Sequence, residues 1–147
     1  MKAVLQRVTE ASVSVDSAVV GEISNGICIL FCAARGDSDD DARYFAQKIA
    51  KMRIFSDENG KTNLDVNEVK GKILAISQFT LAAQWRKGNR PGFSHAEAPE
   101  RANALYEIFC SELRSQGLDV EVGVFAAEME VRIVNDGPFT IVMDSRD

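Results

Sequence analysis

The chain has 147 residues, 46% of them hydrophobic and 27% charged, and a net charge of −5. That is the make-up of one ordinary folded domain, read here over residues 1–147, which at this length buries roughly 68–70% of its unfolded surface without a disulfide or metal staple. It excludes a disordered chain and a protein that coats nucleic acid through bulk charge, because affinity for phosphate chains comes from Lys and Arg displacing counterions, although contact with a single RNA terminus stays open.

In chain order, the first residues carry charge and lack the apolar core of a signal peptide, and no run approaches a membrane span, so a cytoplasmic protein without a membrane segment is expected. From Ala3 to Val15 a long strand is predicted, and its alternation slips. Val4 and Val8 share one parity while Ala11, Val13 and Val15 share the other, which calls for a bulge or bend near Thr9 and Glu10. Asp16 and Ser17 supply hairpin turn chemistry. Gly26 opens a third apolar run, Ile27 to Ala33, long enough for a buried strand. Cys28 and Cys32 within it, like Cys110 later, show no paired ligand spacing and read as buried small hydrophobes. Ser38 is a helix N-cap, and Asp39, Asp40 and Asp41 set negative charge against the positive end of the helix dipole, so the acidic run needs no metal. Ala42, Phe45, Ala46, Ile49 and Met52 then fall on one helical face. Asp57 to Gly60 reads as a turn and Lys61 to Lys70 as an irregular polar excursion.

The stretch Lys72 to Leu81, KILAISQFTL, begins as a buried strand with Ile73, Leu74, Ala75 and Ile76 and then turns polar. Ser77, Gln78 and Thr80 bring two hydroxyls and an amide to the strand's end, where they either satisfy loose backbone groups or form a site. Ala82 to His95 has few apolar residues and holds Gly88, Pro91 and Gly92, a loop long enough to be functional. On composition alone, its cluster Arg86, Lys87 and Arg90 is a solvated loop. Pro99 begins a second helix with Ala102, Leu105, Phe109 and Leu113 on one face and Gly117 at its end. Val120, Val122 and Val124 alternate as a strand, Met129, Val131 and Ile133 as another, and Phe139 to Met143 as the last. Between these final two, Gly137 and Pro138 mark a turn, with the peptide a candidate for cis. The order βββαβαβββ, with no Gly-rich phosphate loop, points to an α/β domain with mixed or antiparallel sheets rather than a doubly wound parallel one.

Zinc hydrolysis needs several converging ligands, and the chain has one histidine, His95, so no metal is expected. A Ser-His-Asp triad would have to use the same residue, which lies in a Gly-rich loop and reads as a surface side chain.

Taken together, SQFTL and NDGPFT resemble the two signature motifs of the D-aminoacyl-tRNA deacylases, editing enzymes that hydrolyse the ester between a D-amino acid and its tRNA. KAVLQRV at the start and KGNRPGF after the first motif occur in the family's order, so the resemblance covers the whole chain. It implies two packed sheets with two helices on one side, and a homodimer with active sites at the interface. The substrate would be a tRNA 3′ end carrying a D-amino acid, or glycine mischarged on alanine tRNA, and no cofactor is called for.

An aminoacyl ester is activated relative to an amide, so positioning and oxyanion stabilisation by backbone N–H groups can supply most of the acceleration. The resemblance implies that Ser77, Gln78, Phe79 and Thr80 contact the terminal adenosine and the ester, with the adenosine's 2′-hydroxyl implicated in hydrolysis. Thr80 as a covalent nucleophile is the rival and requires an activating base. Rejecting the L hand is best done by a rigid obstruction, and the resemblance gives that role to Gly137 and Pro138, inserted from one subunit into the other's pocket. Arg7 and Met129 are supports in the family pattern; otherwise they are an exposed strand cation and a core methionine. Arg86, Lys87 and Arg90 would contact tRNA. After KGNRP the family has Ser where this chain has Gly92, so a hydroxyl that could anchor the loop is missing. The reading from another class is a non-catalytic dimeric module that binds an RNA 3′ end or a nucleotide.

Overall fold

The computed structural model describes residues 1–147. Its central strand is β1 (Lys2–Val15), joined by a tight turn to β2 (Ala18–Ile23) and followed by β3 (Gly26–Cys32). Asp16 and Ser17 take φ of 49° and 65°, the paired left-handed conformations that a two-residue hairpin needs. Strand β1 pairs antiparallel with β3 through Lys2–Val8 and with β2 through Ala11–Val15. Its other edge is taken along its whole length by the antiparallel β8 (Glu130–Asp144).

The buried positions of β1 are Ala3 and Leu5, then Val8, then Ala11 and Val13. The slip expected near Thr9 and Glu10 is present as a register shift against β8 between Val8 and Glu10. A second shift, between Gln6 and Val8, was not expected, because Gln6 and Arg7 are polar and carry no parity to read. Through these two irregularities β1 changes the face it buries. Ala3 and Leu5 enter the main core, whereas Val8, Ala11 and Val13 pack with Ile23, Cys28, Leu74 and Ile76 in a second, smaller one. The expected pair of packed layers is thus two halves of one six-stranded sheet, continuous through β1 and folded over on itself. Gly21 permits that closure, since a Cβ there would lie 2.8 Å from the Val122 carbonyl oxygen.

Beyond β3 the sheet is parallel, through β6 (Lys72–Ser77) to β7 (Val120–Val122). The β3–β6 approach is close enough that a Cβ on Gly26 would lie 1.9 Å from the Lys72 carbonyl oxygen, so only glycine fits. Helices α1 (Asp39–Ala50) and α2 (Pro99–Ser115) cover one face of the sheet, burying Phe45, Ile49, Leu105, Phe109 and Leu113 against Ile27, Ile29 and Phe31. The Phe31 and Phe109 rings stack at 4.5 Å. Helix α1 starts with a capping box in which the Ser38 hydroxyl accepts from the Asp41 N–H while the Asp41 carboxylate accepts from the Ser38 N–H at 2.8 Å. No helix is long and apolar enough to cross a membrane.

Three expectations are corrected. Phe55–Ser56 (β4) and Thr62–Leu64 (β5) pair antiparallel across the Asp57–Gly60 turn, so the polar excursion after Lys61 begins as a short strand. Strand β7 stops at Val122 instead of reaching Val124, because after a last bond from the Gly123 N–H to the Ala75 carbonyl the chain turns at Phe125 and Ala126, the latter with φ of 62°. The two final strands are one: both arms of β8 pair with β1, and Gly137-Pro138 forms a bulge inside it, not a reversal.

Candidate active site

Strands β3 and β6 run parallel and end together at Cys32 and Ser77, and an open cavity of about 700 Å³ lies beyond those carboxyl ends. Ligands favour that position in open α/β sheets, where the diverging strand ends leave a crevice. Phe31, Ile76 and Phe79 give the cavity an apolar wall from the sheet, while Phe93, Ala96 and Phe125 close the other sides. The 93–99 wall is pinned to the end of β3 by main-chain bonds, Arg35 N–H to the His95 carbonyl at 3.0 Å and Glu97 N–H to the Ala33 carbonyl at 3.1 Å.

At the end of β6 the chain leaves the sheet and tightens. Gln78 N–H still donates to the Phe31 carbonyl at 2.6 Å, and Phe79–Ala82 then form a single 3-10 turn. The N–H groups that open such a turn lack partners within it, and those of Phe79 and Thr80 find no main-chain acceptor elsewhere. Gln78 and Phe79 line the cavity. The Thr80 hydroxyl accepts from the Gln78 side-chain amide at 2.5 Å, and neither an acid nor an imidazole is bonded to it. Behind the turn, the buried Cys32 thiol donates weakly to the Phe79 carbonyl at 3.6 Å. Burial raises the Cys32 pKa above the ordinary thiol value, and likewise pushes Cys28 up to about 12 and Cys110 up to about 11, so the thiols stay protonated near neutrality.

The second motif is a projecting bulge. Strand β8 takes five steps from Asn135 to Thr140 while β1 takes two from Val8 to Gln6, and the surplus chain carries the cis Gly137-Pro138 peptide. Asn135 braces it from within: its Oδ1 accepts from Phe139 N–H at 2.7 Å and its Nδ2 donates to the Thr140 hydroxyl at 3.1 Å. Arg7 braces it from beneath. Its Nε donates to the Asp136 carbonyl at 3.2 Å, its Nη1 donates to the Ile54 carbonyl at 2.6 Å, and its guanidinium carbon lies 4.6 Å from the centre of the Phe139 ring. Gly137 and Pro138 themselves are exposed.

The loop after the 3-10 turn is a stapled arch. Gln84 and Gly92 exchange main-chain bonds of 2.8 and 3.0 Å, the Gln84 side-chain oxygen accepts from the Ser94 hydroxyl at 2.6 Å, and its nitrogen lies 2.8 Å from His95 Nε2. The arch is thus anchored by the Ser94 hydroxyl and by the Gly92 main chain, with no side chain at position 92. His95 is exposed and serves as a loop brace, apart from Thr80. Arg86, Lys87 and Arg90 are exposed on the arch.

Of the sequence-predicted residues, Ser77, Gln78 and Phe79 meet Met129 in the cavity wall, and Thr80 is held by Gln78. Arg7, Gly137 and Pro138 form a separate group, and none of the three lines the cavity of its own protomer. Sequence reasoning missed Asn135 as the brace of the bulge and missed the Ala96–Pro99 and Phe125–Ala127 walls. The small apolar residues of those walls carry no chemical signal, whereas Asn135 was visible only as the first letter of the NDGPFT motif, with no role of its own.

The chain matches the family model of D-Tyr-tRNA(Tyr) deacylase over residues 4–144. It is 57% identical over 146 residues to a D-aminoacyl-tRNA deacylase of Anaeromyxobacter dehalogenans, covering 99% of this chain and 98% of that one. To a D-aminoacyl-tRNA deacylase of Paracoccus denitrificans it is 54% identical over 147 residues, covering 100% and 99%. Among solved structures, one described as c-Myc DNA Unwinding Element Binding Protein superposes with a TM-score of 0.92 at 40% identity over 99% of both chains. A probable eukaryotic D-amino acid tRNA deacylase shares the fold, with a TM-score of 0.80 at 21% identity over 97% of each.

Proposed function

The chain belongs to the D-Tyr-tRNA(Tyr) deacylase family and is a D-aminoacyl-tRNA deacylase, a hydrolase of the ester between amino acid and tRNA, and from that premise we propose how its residues divide the work. The cavity beyond Ser77 receives the terminal adenosine and its aminoacyl ester. Phe79 and Thr80 N–H groups, which no main-chain acceptor takes, stabilise the oxyanion as the carbonyl is attacked. The attacking group is water, which the adenosine's 2′-hydroxyl assists as it adds to the carbonyl, and the Thr80 side chain positions without bonding covalently. Its one hydrogen-bond partner, the Gln78 amide, is neither acid nor base, which leaves a Thr nucleophile unactivated.

Handedness is enforced by the Gly137-Pro138 bulge of a second copy of the chain. The observation that carries this reading is the mismatch within one protomer: an exposed bulge braced by Arg7 and Asn135 meets no cavity, and an open cavity lacks an obstruction. Strand β8 is an edge strand with the exposed apolar residues Val134 and Val142, which a homodimer would cover. A main-chain obstruction acts on the direction in which the side chain leaves Cα, so D-amino acids of many kinds and glycine, including glycine mischarged on alanine tRNA, are substrates while L-amino acids are not. A substrate made and used by translation places the enzyme in the cytoplasm. Incubation with matched D- and L-aminoacyl-tRNA tests the scheme: hydrolysis confined to the D ester is expected, and equal hydrolysis of both would overturn it.

A further inference from the structure

Trp85 is the only tryptophan in the chain, and it is 67% exposed, the large apolar ring of this arch most open to solvent. Exposing that much aromatic surface has a cost unless something covers it. Its surroundings say what that something is. The Arg86 guanidinium carbon lies 5.2 Å from the centre of the indole ring, and Lys87 and Arg90, both exposed, follow within the same arch. Aromatic and basic side chains interleaved on one exposed loop suit a single-stranded nucleic acid, whose bases stack while its phosphates pair with the cations.

The arch is rooted at the cavity. One stem leaves the 3-10 turn of Phe79, the other ends at Phe93, and these two rings, both cavity walls, meet edge to face at 5.2 Å. The Gln84–Gly92 staple fixes the arch immediately outside that aromatic rim. We propose that Trp85 stacks on an unpaired nucleobase of the tRNA 3′ end, one or two nucleotides inward from the terminal adenosine, with Arg86 on the far ring face and Lys87 and Arg90 on the adjoining phosphates. The proposal rests on the deacylase reading and extends it to a subsite outside the cavity. It gives the enzyme purchase on part of the substrate that every tRNA shares and that does not depend on the amino acid.

Because Trp85 is the sole tryptophan, its fluorescence reports the contact directly. The probe is an uncharged acceptor-stem minihelix ending in CCA, titrated into the full-length protein beside adenosine monophosphate. Quenching of the emission by the minihelix, with little change from the mononucleotide, is expected. Trp85→Ala should raise the KM for a D-aminoacyl-minihelix about tenfold, the usual order for one lost base stack, and Trp85→Phe should restore most of it. Minihelix binding that leaves the emission unchanged, or a KM identical in wild type and Trp85→Ala, overturns the proposal. Hydrolysis of the D-aminoacyl-minihelix by the wild type is read separately: its absence sinks the deacylase reading, whereas hydrolysis with a silent Trp85 sinks the subsite alone.

Discussion

The Arg7 guanidinium lies 4.6 Å from the centre of the Phe139 ring, placing the one cation of the β1 bend against the residue that closes the Gly137-Pro138 bulge. Its side chain is 13% exposed and spends its donors on the Asp136 and Ile54 carbonyls, so removing it leaves two acceptors unpaired. Arg7→Ala should cost about 2–3 kcal/mol in urea unfolding. Hydrolysis of L-aminoacyl-tRNA should rise relative to D, and Arg7→Lys should fall between, because one ammonium cannot serve both carbonyls and the ring. An unchanged D-to-L ratio in a folded Arg7→Ala protein would separate the bulge from chiral selection.

Gly137 has φ of +132°, and a Cβ there would lie 3.0 Å from both Arg7 Nη2 and Phe139 N. Gly137→Ala is expected to lose about 1–2 kcal/mol, a fall in Tm of roughly 2–8 °C. Selectivity should weaken with it, since either the bulge or Arg7 has to move. A protein with unaltered Tm and selectivity would show that the bulge has room to spare.

Thr80→Ala distinguishes the two mechanisms by size. Loss of a positioning hydroxyl lowers single-turnover hydrolysis of D-aminoacyl-tRNA by about tenfold. Loss of a nucleophile lowers it on the order of 10⁵-fold or more. The smaller effect is expected, with no acyl-enzyme detected by mass spectrometry in the wild type; a trapped adduct on Thr80 would decide for the covalent route.

The start of α1 supplies a pH dependence. The Ser38 N–H and hydroxyl bonds to the Asp41 carboxylate hold its pKa below the ordinary value, because they favour the charged form. The resulting stabilisation is fully present above the ordinary carboxylate pKa near 4 and is lost as pH falls through the lowered one. Ser38→Ala should cost about 1 kcal/mol at neutral pH, and thermal melts of wild type and variant should draw closer as pH drops below about 4, leaving the share that comes from the Ser38 hydroxyl accepting the Asp41 N–H. Melts that stay parallel down to pH 2 would mean the cap does not act through the Asp41 carboxylate.

Much of this was legible because particular residues carried parity or chemistry. The swap from Val8 to Ala11 and Val13 announced the bend in β1, and Ser38 with three aspartates announced α1. The break at Gln6 and Arg7 stayed hidden, since polar residues do not say which face they leave. Gly137-Pro138 read as a reversal because the sequence names no partner strand: only the shared pairing with β1 shows a single strand with a bulge. Strands β4 and β5, two and three residues long, fall below any periodic signal. At the site, Ser77 to Thr80 stood out as polar groups on an apolar strand, whereas the cavity walls of alanine and phenylalanine came from loops whose approach only the fold determines.

Strand β1 is flanked on both edges, by β3 and β8 over Lys2–Gln6 and by β2 and β8 over Ala11–Ser14. Neither stretch can open without rupturing two ladders, so its amides should trade protium for deuterium only when the whole domain unfolds. The amides of Trp85–Arg90, with no ladder to break, should exchange within the dead time. A deuterium pulse would therefore mark the arch at once and leave unlabelled the strand that carries Arg7, setting the most durable part of the molecule beneath the bulge and the most yielding part at the cavity's rim.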